Sequence, residues 1–147
     1  MRLLFAAVCV AFFVGAAQAE TGGFTGSEAC GECHVAEYES FMAKSKKAKS
    51  WKSVEIMASD LKPHEVETCY ECHTTGYGQP GGFVSFQATP HLADVGCETC
   101  HGPGALHSET EDPDDLLAVT VDTCETCHNG ERTGVFDFRA LLFAGAH

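Results

Sequence analysis

A short pattern of two cysteines and a histidine occurs four times and constrains this chain more than any other feature. The copies of Cys-x-x-Cys-His are Cys30/Cys33/His34, Cys69/Cys72/His73, Cys97/Cys100/His101 and Cys124/Cys127/His128. Residues i, i+3 and i+4 share one face of a helix, so each copy directs two thiols and one imidazole at the same object. A haem matches this set, because the thiols bond its vinyl groups as thioethers and the imidazole binds its iron. The motifs therefore predict four c-type haems, each covalently attached.

Two other kinds of site also use paired cysteines. Cys-x-x-Cys units can supply a tetrahedral zinc site, and eight thiols in an exported chain are an even number that could form disulfides. Neither alternative explains why a histidine directly follows every pair. The repeated histidine therefore favours haem.

The first nineteen residues are typical of a secretory signal peptide. Arg2 precedes an apolar run from Leu3 to Gly15, and Ala17 and Ala19 provide small residues before a cleavage site at Glu20. The run is too short to span a bilayer, which takes about 20 apolar residues. We expect residues 1–19 to be removed and residues 20–147 to form a single domain in the periplasm or otherwise outside the cytoplasm, without a membrane span.

The length of the mature chain limits how it can fold. In a domain of this size, four macrocycles would displace much of the usual apolar core. We therefore expect a mainly α fold with much irregular loop, wrapped around four haems as a small multihaem cytochrome c, and no substantial sheet.

Several local elements can be predicted around the first two motifs. Ser27 is placed to cap the helix that carries the first motif. Between Val35 and Val54, apolar residues recur at spacings of three and four, which predicts one amphipathic helix or two joined end to end. Residues 60–68, with a proline, are expected to link into the second motif.

Other signals lie further along the chain. Residues 83–86 are expected to form a short ribbon with a period of two. The glycines and proline of residues 102–104 should end the helix of the third motif. Asp112, followed by Pro113 and two acids, predicts a helix start with Asp as its cap.

The charge is strongly acidic and uneven. The chain carries a formal net charge of −12, with 21 Asp and Glu, so nucleic acid and anionic membrane are not expected partners. From Asp94 to Asp137 there are eleven acidic residues and one basic residue, Arg132, whereas five lysines cluster between Lys44 and Lys52. Each run can be an ordinary solvated surface or a docking face, and the acidic run predicts a redox partner with a basic face.

The histidines outside the motifs are candidate sixth ligands. The motif histidines, His34, His73, His101 and His128, are expected to bind iron directly. The four that remain are His64, His91, His107 and His147. Four spare imidazoles for four haems predict bis-histidine, low-potential irons, although each could instead be an ordinary surface or structural residue. Met42 and Met57 are outside candidates that fit better as packing residues.

The chain resembles the tetrahaem cytochrome c-554 family of exported multihaem cytochromes. The matching stretches are Gly26-Ser27-Glu28-Ala29-Cys30 to His34, Cys69 to Gly78 with Gly81-Gly82-Phe83, and Pro90-His91-Leu92 to Gly104 with His107. The resemblance implies a mainly helical fold around closely packed haems and a role in periplasmic electron transfer.

One departure from that family affects the ligand set. Family members commonly have a distal histidine in a Ser-x-His-Ala stretch after the first motif, and this chain has Ser45-Lys46-Lys47-Ala48 there. The family's best-known member leaves one iron five-coordinate. The resemblance therefore leaves open whether every iron in this chain has two histidine ligands.

Three functions fit these observations. The first is an electron carrier that passes single electrons between respiratory redox proteins through its haems. The second is an enzyme in which an open iron acts on nitric oxide, nitrite or hydroxylamine, although no clear acid–base group supports it. The third is a subunit of an extracellular haem filament. We expect the carrier.

Overall fold

The computed structural model describes residues 23–131 together with residues 134, 137 and 139. The α-helices α1 to α7 are Ser27–Cys33, Val35–Lys44, Trp51–Ala58, Pro63–His73, Cys97–His101, Ala105–Thr110 and Val121–Glu125. The 3₁₀ helices are Lys47–Lys49, Pro90–Leu92 and Pro113–Asp115. No strand occurs in this part of the chain, so the expected mainly helical fold with long irregular loops is confirmed for it.

The proposed signal peptide, residues 1–19, lies outside the described residues. Within the described part, none of the helices is both long enough and apolar enough to cross a membrane.

The stretch after the first motif forms two α-helices, which is one of the two arrangements that the apolar spacing predicted. α2 ends at Lys44, a 3₁₀ helix follows, and α3 begins at Trp51. The buried side chains of this stretch are Phe41, Ala48, Trp51 and Val54, together with the polar Ser50. The apolar spacing in the sequence therefore identified the buried side, except that Val35 is 52% exposed.

Ser27 does not cap α1, so that prediction was wrong. Gly26 precedes the helix with a φ of 86°, and no side chain caps it. The Ser27 hydroxyl instead accepts a hydrogen bond from the Cys97 amide, at 3.1 Å. Ser27, which the local pattern assigned to the cap, therefore makes a contact with a segment 70 residues away.

The predicted linker at residues 60–68 is mostly helix. α4 begins at Pro63, which takes the first helical position, where proline costs no hydrogen bond. The Glu65 carboxylate reaches back to accept the Lys62 amide at 2.8 Å, which satisfies a donor at the start of the helix. The proline therefore starts the helix rather than interrupting it.

The predicted ribbon at residues 83–86 is also absent. The Phe83 amide donates to the Thr75 carbonyl at 2.9 Å, and the Val84 amide donates to the Thr89 hydroxyl at 2.8 Å. The amides that would pair across a ribbon therefore already have other partners. Residues 86–88 form a turn.

Two loop predictions were confirmed. α5 ends at His101, and Gly102 follows with a φ of 79°, in the left-handed region that favours glycine. The Asp112 carboxylate accepts the Asp114 amide at 2.9 Å and so caps the short helix that begins at Pro113.

The apolar core of the described residues is small. Its buried side chains are Phe24, Phe41, Ala48, Trp51, Val54, Phe83, Leu92 and Val95. Phe24, Phe83 and Leu92 form one cluster, against which Tyr70 and Phe86 pack. Such a core leaves much of the stabilisation to polar contacts and is compatible with cofactors in the interior.

A buried carboxylate holds the third motif against the start of the fold. Glu98 is only 3% exposed. Its oxygens accept hydrogen bonds from the backbone amides of Thr25, Gly26 and Gly104 at 2.7–2.8 Å, and from the Thr25 hydroxyl at 3.3 Å. Hydrogen bonds to a charged group are worth about 1.5–3 kcal/mol each, so a carboxylate held in this way can stay buried without a cation.

We expect Glu98→Ala to lower the free energy of unfolding of the native protein by about 3 kcal/mol, because three amides lose their acceptor. Glu98→Gln should lose less, because it keeps one acceptor oxygen and replaces only the other with an NH₂ group. Guanidinium unfolding followed by absorbance would measure both variants. Glu109→Ala, an exposed control on α6, should stay within about 0.5 kcal/mol of the unchanged protein. Equal losses for Glu98→Ala and Glu109→Ala would contradict this role.

Candidate haem-binding site

Helices present all four Cys-x-x-Cys-His motifs. The second motif ends α4 and the third fills α5. In the first motif His34 directly follows α1, and in the fourth Cys127 and His128 follow α7. In both of these, the histidine amide donates to the carbonyl of the first cysteine at 2.9 Å, which is the bond of an α-helical turn. Each motif therefore has the helical geometry that turns its side chains to one side.

The first and third motifs lie against each other. The thiols of Cys30 and Cys97 lie close enough to influence each other, which lowers the pKa of Cys97 to about 6 and raises that of Cys30. The Ser27 bond to the Cys97 amide connects the same two motifs. Thiols bonded to haem would no longer titrate, so these pKa values matter here only because they show that Cys30 and Cys97 lie close together.

The second and fourth motifs form another such pair. Burial raises the pKa of Cys127 to about 12, and a hydrogen bond with the Cys72 thiol contributes to the rise. The first and third motifs are therefore neighbours, as are the second and fourth, and the third also lies near the fourth, since burial and then the Cys124 thiol raise the pKa of Cys100.

Two histidines have one ring nitrogen held by a backbone carbonyl. His73 Nδ1 lies 3.0 Å from the Ser50 carbonyl oxygen, and His107 Nδ1 lies 2.9 Å from that of Asp112. A carbonyl oxygen can only accept, so Nδ1 is the donor in both rings, and in a neutral imidazole this leaves the lone pair on Nε2. This is the form in which an imidazole binds a metal, with its other nitrogen held by an outer partner.

Among the described residues, His107 is the one histidine outside the motifs whose ring lies beside the ring of a motif histidine. The ring centres of His34 and His107 are 6.2 Å apart, with an angle of 22° between their planes. The rings are thus nearly parallel but too far apart for direct contact.

His91 lies close to the first motif but outside it. Its ring packs against Gly26, where an added Cβ would come within 3.1 Å of His91 Cδ2. It also lines a cavity of about 400 Å³, together with Tyr38, Phe41 and Met42. His91 therefore belongs to the side of the fold that holds the first and third motifs.

The other predicted ligands are more scattered. His64 is exposed at the start of α4, at the opposite end of that helix from the second motif. His147 lies outside the described residues. His101 and His128 are half-buried; burial and then the Lys47 ammonium lower the pKa of His128. Met57 is 55% exposed and therefore does not serve as a packing residue.

The described cysteines show neither of the alternative arrangements. All eight are free thiols, with no disulfide between them. Within the same part of the chain, no group of three or more His, Cys, Asp or Glu side chains is arranged around a single metal ion.

Sequence analysis missed three side chains that position the motifs. Glu98 occupies a variable position inside the third motif, and no local signal marks it. Ser50 donates to the His73 carbonyl at 3.0 Å and accepts the Val95 amide at 3.0 Å. Thr75 donates to the Asp94 carbonyl at 2.6 Å and accepts the Gly96 amide at 2.9 Å. Their partners lie 6 to 73 residues away, so short-range patterns could not identify most of these contacts.

A family model described as cytochrome c554 and c-prime matches residues 29–102, which is half of the chain. Cytochrome c-554 of Nitrosomonas europaea is 36% identical over 115 residues, which cover 69% of this chain and 47% of that protein. This chain therefore spans about half the length of that relative. No solved structure gives a significant match. The match over the first three motifs shows that this chain belongs to the cytochrome c554 and c-prime family.

Proposed function

We propose that this chain is an exported tetrahaem c-type cytochrome that passes single electrons between redox proteins. The observation that carries the proposal is the contact between two motifs: the Ser27 hydroxyl accepts the Cys97 amide at 3.1 Å, so groups attached to the first and third motifs would lie close together. Haem supplies an iron that gains and loses one electron. The chain contributes covalent attachment, axial ligands and a surrounding charge that sets the potential.

The donor set fits four haems. Each motif offers two thiols and an imidazole on one side of a helical turn, and His73 is already in the tautomer that binds metal through Nε2. The family implies covalently bound haem, and the first three motifs all fall within the matched region. The fourth motif extends the same pattern, so four haems follow from four complete motifs.

His34 and His107 are the proposed axial pair of the first haem. Two imidazoles on one metal have ring centres about 6 Å apart, because each metal–nitrogen bond is about 2 Å and each nitrogen lies about 1 Å from its ring centre. The observed separation is 6.2 Å. The Asp112 carbonyl holds His107 with Nε2 available. His64, His91 and His147 are proposed for the remaining haems.

The first test is the mass of the purified protein. We expect the chain from Glu20 onward plus four haems, since each motif holds one haem through two thioethers. Acid–solvent extraction should leave the haems in place. Intact mass spectrometry gives both results. Fewer than four haems, or bound zinc, would contradict the cofactor assignment.

A second test removes the proposed sixth ligand of the first haem. His107→Ala should make one iron in four five-coordinate, with a new high-spin electron paramagnetic resonance signal and about one carbon monoxide bound per protein. Ser108→Ala, on the same helix, should change neither signal. An unchanged spectrum in His107→Ala would show that His107 is not a ligand.

The unchanged protein separates the carrier from the enzyme. If His64, His91, His107 and His147 all bind iron, the reduced protein binds no carbon monoxide. The resemblance to the family implies a histidine in the stretch where this chain has Lys47, and this departure gives the alternative a specific basis because it removes one expected ligand. Binding of one carbon monoxide per four haems before any substitution would favour an enzyme that acts on a small nitrogen compound.

The third test concerns the docking face. Residues 111–120, here called the acidic loop, connect α6 to α7 and expose Asp112, Asp114, Leu117 and Val119. The loop joins the third motif directly, because the Leu117 amide donates to the His101 carbonyl at 2.8 Å. Apolar side chains among exposed acids resemble a docking surface for a basic redox protein.

We expect Asp112→Asn, Asp114→Asn and Asp115→Asn together to slow electron transfer to a basic mitochondrial cytochrome c about tenfold at low ionic strength. Asparagine keeps the cap at Asp112, so the haem spectrum should not change. Stopped-flow absorbance would give the rate, which should fall as salt screens the attraction over about 10 Å at 0.1 M. The matched control, Glu32→Gln, Glu37→Gln and Glu39→Gln together, removes as much charge from exposed positions on α1 and α2. Equal slowing by both triple variants, or no dependence on salt, would contradict a docking role for the acidic loop.

A further inference from the structure

Five aromatic side chains form a continuous cluster beside the second motif. Its members are Trp51, Tyr70, Tyr77, Phe83 and Phe86. The chain contains one tryptophan and three tyrosines, and all of these except Tyr38 belong to the cluster. Aromatic rings of any kind pack well in a core, but tryptophan and tyrosine give up an electron far more easily than phenylalanine does. The cluster therefore gathers most of the oxidisable rings of the chain at a single motif.

The outer end of the cluster is in contact with solvent. The side chain of Tyr77 is 37% exposed, in a loop between Gly76 and Gly78. Its ring meets that of Tyr70 edge to face, with 5.2 Å between the ring centres. Tyr70 is half-buried, and its ring centre lies 5.3 Å from that of Trp51, which is buried. These spacings are those of rings in contact, so three oxidisable rings in succession lead from the surface to the interior.

The inner end of the cluster reaches a predicted iron ligand. Trp51 is joined by its peptide bond to Ser50, and the Ser50 carbonyl oxygen lies 3.0 Å from His73 Nδ1. The Ser50 hydroxyl also donates to the His73 carbonyl at 3.0 Å, which holds the two residues together. Tyr70 is itself a residue of the second motif. A path of covalent bonds and one hydrogen bond therefore connects the Trp51 ring with the imidazole that would bind the second iron.

Ordinary electron exchange with a redox protein does not use these rings. A haem iron gives up its electron to a much weaker oxidant than a tyrosine or tryptophan does, so the rings stay reduced while the iron cycles. A radical oxidant in solution is strong enough to oxidise a tyrosine, and Tyr77 is exposed to it. A tyrosyl radical that persists couples with a second radical and leaves a permanently modified side chain. A reduced haem at the other end of the path can supply the missing electron first.

We propose that Tyr77, Tyr70 and Trp51 carry an electron from the haem of the second motif to small radical oxidants, such as nitrogen dioxide, at the surface. The proposal rests on the proposed function, because the electron comes from that haem. Tyr77 gives one electron to the radical and releases its hydroxyl proton to water. It then regains an electron from the reduced iron through Tyr70 and Trp51, and a proton from water. In the net reaction the radical becomes its anion and the ferrous iron becomes ferric, so every side chain is left unmodified.

Pulse radiolysis of the fully reduced holoprotein tests this path. The probe is the azide radical, which takes single electrons from tyrosine and tryptophan and becomes azide. We expect the absorbance of a tyrosyl radical to appear and then to decay at the rate at which the absorption band of reduced haem is lost. That rate should not depend on protein concentration, because the electron moves within one molecule.

Tyr70→Phe interrupts the path but keeps the ring, because it removes only the hydroxyl and leaves a side chain that is much harder to oxidise. The tyrosyl radical should then persist, and most of the concentration-independent loss of reduced haem should disappear. Tyr77→Phe should lose the same phase, because it removes the exposed tyrosine at which the path begins. Tyr38→Phe is the matched control, since its ring packs against Gly31 in the first motif, outside the cluster, and it should keep the kinetics of the unchanged protein. The haem spectrum should be the same in all three variants.

Three results would overturn the proposal. Equal rates of haem oxidation in Tyr70→Phe and Tyr38→Phe would show that the cluster serves packing alone. A rate that rises in proportion to protein concentration would show that the electron passes between molecules. A changed haem spectrum in Tyr70→Phe would show that Tyr70 supports the motif instead of carrying electrons. Intact mass measured on the same samples keeps the two proposals apart. Four haems with kinetics that Tyr70→Phe leaves unchanged would refute the path alone, whereas missing haems in the unchanged protein would refute the proposed function.

Discussion

The arrangement of the motifs depends on a buried carboxylate that is held by backbone amides. Glu98 links Thr25 and Gly26 to α5 through hydrogen bonds that span more than 70 residues. α5 has only five residues, and a helix that short has no stability of its own in water. Because Glu98 lies between Cys97 and Cys100, the bonds that bury it also set the direction of the third motif relative to the first.

Hydrogen bonds from other buried polar side chains also connect the motifs to neighbouring segments. Ser50 and Thr75 are buried hydroxyl residues, and each joins backbone groups of segments that are distant in sequence. An apolar core of eight side chains cannot orient seven short helices in the described part by itself. Directional hydrogen bonds can orient the helices without filling the interior. A fold that surrounds large cofactors requires such space.

Sequence reasoning succeeded where the structure is determined locally. The spacing within each motif, the stop at Gly102 and the cap at Asp112 all follow from a few adjacent residues. It failed where a distant partner decides the outcome: Ser27 binds the Cys97 amide instead of capping, and Thr89 takes an amide from the predicted ribbon. The start of α4 is a different case. Pro63 followed by Glu65 is a local signal for the start of a helix, so the prediction of a linker there was wrong without any distant partner.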